Sequence, residues 1–169
     1  MHRVELYNQN IKLREVSWSK IYRRSFIEQH HLRCAKGLLQ EDNEFSYRLY
    51  SVASQTRHVD LTPYVCRVSQ TSATKKRISL INMESDLLVA NVLYDDIFMK
   101  KSVIIDSEMI QEIKQFIRYE IARVFQNFHL LNKDEQKIAK RKMQKYITWR
   151  MLPYMSKKKF ILLHFGIVR

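Results

Sequence analysis

Glu44-Phe-Ser-Tyr-Arg-Leu-Tyr-Ser-Val52 is the stretch on which the fold class turns. Phe45, Tyr47, Leu49 and Ser51 alternate with Ser46, Arg48 and Tyr50, the period of two expected of a half-buried strand. Two later segments extend that reading. Val59–Val68 is β-branched and aromatic, with Pro63 marking it as an edge or bulged strand. Ile78–Met83 is a third candidate, joined to it by the polar, turn-like Ser69–Lys76. Near the end, Phe160–Val168 has the character of an edge strand. The expectation is an α+β fold: a small antiparallel sheet of about three to four strands packed by several α-helices. Residues 1–169 form a single domain in this reading, with a mainly helical C-terminal half and a basic helical/strand segment over 133–169.

Outside these segments the rhythm is helical. Trp18, Ile21, Tyr22 and Phe26 recur at helical spacing within Ile11–Gln40, with Ser17 or Ser19 as N-cap and Gly37 as the stop. Ser85 caps a mostly apolar helix from Asp86 to about Met99, apolar nearly all round and therefore expected to be buried. The clearest periodicity begins at Asp106 or Ser107. Ile110, Ile113, Ile117, Ile121, Val124, Phe128 and Leu131 follow at spacings of 3, 4, 4, 3, 4 and 3. Such a stripe is the spine of a core or, through Ile110, Ile117, Val124 and Leu131, half of a homodimer seam; core packing is the better reading. Asn132 with Glu135 makes a capping box that starts one more helix, ended by Pro153.

Composition removes whole classes of function. The chain has 169 residues but only 2 Gly and 2 Pro. Gly37 and Gly166 cannot supply a P-loop or a GxGxxG turn, so no Gly-rich loop cradles a phosphate. GxSxG, HExxH, EF-hand and zinc-finger spacings do not occur, and no cofactor or metal is implied. Cys34 and Cys66 form no CxxC pair and read as free thiols of a reducing compartment. The longest apolar runs, such as Leu87–Ala90, fall far below the roughly 18 residues of a membrane span. An intracellular protein of nucleus or cytoplasm, without a membrane partner, is expected.

Charge is the most informative property. Lys and Arg number 30 against 17 Asp and Glu, a net charge of +13. No acid follows Glu135, and the cations beyond it supply +10 of that total. A smaller excess lies between Lys12 and Lys36. A polyanionic partner is the natural counterpart of such asymmetry. Lys133, Lys137, Lys140 or Arg141, and Lys145 share one helical face, opposite Ala139, Met143, Tyr146 and Ile147. Each can neutralise a phosphate, and Tyr146 and Trp149 are placed to stack on exposed bases. Lys157, Lys158 and Lys159 extend the set, helped by Arg23 and Arg24. Lys75–Arg77 and Lys140–Lys142 also fit nuclear-import runs.

The expected function is non-enzymatic binding of RNA or DNA through phosphates with little sequence readout. An adaptor or inhibitor whose basic surface docks an acidic protein is the alternative. A third reading is enzymatic. Arg24 followed by His30 and His31 resembles the Arg-x(4–6)-His motif of HEPN ribonucleases, an all-helical family in which Arg and His handle the scissile phosphate. With 6 His and fourteen Arg in the chain, one or two such spacings arise by chance. Asp95, Asp96 and Glu112-Ile-Lys114 are similar to the acidic constellation of metal-dependent nucleases, but a helix through Ile110–Leu131 sets Glu112 and Lys114 on different sides.

Overall fold

The computed structural model describes residues 15–18, 20–57, 59–60, 64–65, 67, 77–99 and 107–165. Six α-helices run through them: α1 (Arg24–Gln29), α2 (Glu41–Val52), α3 (Leu80–Tyr94), α4 (Ser107–Asn127), α5 (Lys133–Tyr146) and α6 (Lys157–Phe165). A π-helical turn, Asp95–Met99, continues α3, and 3₁₀ turns Phe128–Leu130 and Trp149–Tyr154 flank α5.

No sheet is present among the described residues, which corrects the α+β expectation to a mainly helical fold. Glu44–Val52 lies in α2. Its alternation misled because the helix is covered on both sides: Phe45, Tyr47, Leu49 and Tyr50 are all buried, together with Ser46 and Ser51. The chain around Glu15–Tyr22 covers one side, where Tyr22 meets Phe45 edge-on and the Glu15 carbonyl accepts from Ser46. On the other, Tyr47 packs on Phe116 of α4. Three acids in its first turn, Glu41, Asp42 and Glu44, favour a helix start over a strand. Ile78–Met83 is no strand either. Ser79 caps α3 there, with the Asn82 side chain accepting from the Ser79 N–H at 2.9 Å.

Within Val59–Val68, the described Val59, Tyr64 and Val65 are exposed and in no strand; Pro63 lies outside the described residues. Phe160–Phe165 belongs to α6, so the C-terminal segment is helical as far as it is described. The first helix is also shorter than its rhythm implied. Among its described residues only Arg24–Gln29 is helical, ending well before Gly37, whose φ of +81° lies in the left-handed region suited to glycine. Ser85 is no cap: it is buried and accepts the Leu39 N–H at 3.0 Å.

The stripe on α4 is the centre of the core. Ile113, Ile117, Ile121 and Val124 are buried against this chain's own α3 and neighbours, each side chain contributing about 1.5–3 kcal/mol. Of the four residues named for a homodimer seam, Ile117, Val124 and Leu131 are buried within this chain and Ile110 is half-buried. The Asn132 capping box forms as expected. The Asn132 side chain accepts from the Glu135 N–H at 2.9 Å, and Glu135 accepts from the Asn132 N–H at 3.0 Å. α5 ends at Tyr146, and Pro153 falls inside the following 3₁₀ turn.

Three polar links run along α3 and α5 and the turns beside them. Arg77, just before α3, reaches Glu135 at 3.7 Å; Glu84 pairs with Lys142; Asn91 and Asp95 receive Arg150 at 2.7 Å each. Residue numbers rise together on both helices, so α3 and α5 are parallel. The short Phe128–Leu130 turn makes α4 antiparallel to both. Among the described residues no helix is long and apolar enough to cross a membrane.

Candidate nucleic-acid interface

α5 is amphipathic in the simplest sense. Ala139 and Met143 are buried on one side, while Lys137, Lys140, Arg141 and Lys145 are exposed on the other. Local chemistry explains why a helix forms here at all. Asp134 and Glu135 sit at the positive N-terminus, and Lys145 sits in the last turn. Lys137 also bridges to Asp134 at 3.1 Å. Lys140, Arg141 and Lys145 have no carboxylate partner among the described residues. Lys145 instead lies 5.2 Å from the Tyr146 ring centre.

The neighbouring cations are used differently. Lys142, beside Arg141 in sequence, turns inward to Glu84, and Arg150 is clamped on Asp95 and Asn91 with Tyr94 stacked beneath it at 5.2 Å. Sequence alone groups Lys142 with Lys140 and Arg141; the carboxylate that withdraws it is 58 residues away.

Lys157, Lys158 and Lys159 form the exposed first turn of α6. Three cations at a helix N-terminus oppose the helix dipole, and no acid offsets them there. Tertiary contacts hold the helix: Gln144 donates to the Leu163 carbonyl at 2.8 Å, and His164 Nε2 lies 2.6 Å from the Ile147 carbonyl. Lys159 covers the Phe125 ring at 5.3 Å, beside a cavity of about 180 Å³ lined by Ile121, Phe125, Tyr154 and Met155.

Of the two aromatic residues expected to stack on bases, only Trp149 is free to do so. It is 80% exposed, whereas Tyr146 is packed against the core and faced by Lys145. No known protein family, curated protein or solved structure matches the chain. The reading of this surface therefore rests on its own chemistry.

Arg23 and Arg24 are exposed on and beside α1. Arg24 pairs with Glu28 at 2.8 Å, and the His30 ring rests on Phe26, 4.5 Å between centres. Asp95 and Asp96 face Arg150 and Arg48 respectively. Among the described residues no three His, Cys, Asp or Glu side chains gather as a metal site.

A second polar centre was missed entirely. Asp86 of α3 and Glu120 of α4 are both buried, and Arg123 bridges them, reaching Glu120 at 2.8 Å and Gln40 at 2.6 Å. Burial pushes the Glu120 carboxyl up to about 8; Arg123 opposes the rise and the neighbouring Asp86 charge adds to it. Burial raises Asp86 as well, against its bonds to Arg123. A signal did exist: Glu120 falls three residues after Ile117 and four before Val124, on the stripe's own face.

Proposed function

We propose that the protein binds nucleic acid without catalysing a reaction on it, through phosphate contacts from the exposed face of α5 and the first turn of α6. The supporting observation is selective: Lys140, Arg141 and Lys145 stay exposed and unpaired by carboxylates among the described residues, while Lys142 and Arg150 between and after them are drawn into internal ion pairs. Exposed cations without an acidic partner, set along one helix, suit a phosphate backbone, and such contacts carry little sequence information. Lys157, Lys158 and Lys159 add charge where a bound anion relieves an unfavourable helix dipole. An intracellular setting, in nucleus or cytoplasm, fits this partner and the free, exposed Cys34 thiol.

Oligonucleotide binding at low salt tests the reading. Affinity is expected to fall steeply as salt rises, and the triple variant Lys140→Glu/Arg141→Glu/Lys145→Glu is expected to fold but not bind. Binding retained in that variant refutes the assignment of the face. A purified protein free of nucleic acid that shifts no oligonucleotide replaces this reading with an acidic protein partner.

A further inference from the structure

Trp149 is held outward by a backbone that is fixed on both sides. Ile147 and Met151 are buried, Arg150 is bound to Asp95 and Asn91 at 2.7 Å each, and the Ile147 carbonyl contacts His164 at 2.6 Å. The indole between them remains 80% exposed. Its exposure therefore does not come from a loose loop, and an aromatic ring on a rigid mount forgoes the burial it normally finds. Arg141 and Lys145 stand one helical step apart on α5, about 6 Å of rise, and Trp149 follows four residues after Lys145, across the break at Ile147 and Thr148 where the helix ends. Along the chain, two exposed cations are thus followed closely by a free π-face.

We infer that the nucleic acid taken up by this face is single-stranded, with one unstacked base lying on the indole of Trp149 while Arg141 and Lys145 hold adjoining phosphates. The inference rests on the phosphate-binding reading of α5. Duplex bases are stacked on one another and present only edges in the grooves, so they offer Trp149 no ring to cover; single strands do. Stacking is tolerant of base identity, which agrees with binding that carries little sequence readout.

The test compares an oligothymidylate of about 15 nucleotides with a duplex of equal length, at low salt, against the full chain. Trp18→Phe leaves Trp149 as the sole indole, so its fluorescence reports stacking without altering the position in question. Quenching by the single strand but not by the duplex is expected. Trp149→Ala should weaken single-strand binding by about tenfold or more and leave duplex binding within about twofold, while Trp149→Phe retains most of the preference. Equal quenching by both ligands, or undiminished single-strand affinity in a folded Trp149→Ala, overturns the stacking inference and leaves phosphate binding standing. Failure of the unaltered protein to bind either ligand overturns both. Should Trp149→Ala unfold, the quenching arm still decides.

Discussion

Between α2 and α4 the charged side chains face inward, whereas along α5 and α6 they face the solvent. In the first region carboxylates are fully buried: Glu44 meets Arg48 at 2.6 Å, and Asp86 and Glu120 share Arg123. In the second, cations stand exposed with almost no acid beside them. Asymmetry along the chain has become asymmetry between interior and surface. Buried acids hold helices together only while each has its guanidinium; exposed cations contribute little to folding and remain available to a partner.

Removing Arg123 should break this contrast most forcefully. Arg123→Ala leaves the buried Asp86 carboxylate and Glu120 carboxyl without their shared partner and is expected to cost about 3 kcal/mol or more in urea unfolding. A loss below about 1 kcal/mol would show that the centre is already neutral. Next in size is the triple reversal at Lys140, Arg141 and Lys145, for which unfolding should shift by less than about 0.5 kcal/mol per site while oligonucleotide affinity collapses.

A pH series sharpens the same comparison. Glu120 holds its proton up to about 8 when folded, against about 4.5 for an ordinary glutamic acid. Across that window the folded state carries more protons than the unfolded one, so stability should fall as pH rises from about 5 to about 8. Glu120→Gln should flatten the slope, as followed by thermal unfolding; an unchanged slope assigns the dependence elsewhere. The smallest effect separates two neighbours. Lys142→Ala should lower stability by about 0.5–1 kcal/mol and spare binding, while Arg141→Ala should do the reverse and reduce the salt-dependence slope by about one.

Legibility followed how one-sided each helix is. α4 showed itself through spacing because one face is buried and the other wet; the Asn132 box and the exposed cations of α5 were readable for the same reason. α2 was misread because neighbours cover it on both sides, which erases the 3.6-residue signal and leaves a chance alternation. α6 offers only nine residues, and its Phe160–Leu163 run looks as much like strand as helix. The cap of α3 was missed since Asn82 occupies the place usually held by Glu or Gln. Trp149 was anticipated as a stacking residue. The rigidity of its mount depends on Asn91, Asp95 and His164, which no local pattern connects to it.

The three links along α3, α5 and the turns beside them also work as a key. Singly, such pairs are worth less than about 1 kcal/mol. Arg77, Glu84 and Asn91 step by seven residues and their partners Glu135, Lys142 and Arg150 by seven and eight, a pattern that favours one alignment. Slide α5 one heptad in one direction and Lys142 confronts Arg77; slide it in the other and Glu135 confronts Glu84. Either mistake sets like charges together, so the modest ladder selects the correct mating of two helices whose greasy surfaces alone would accept several.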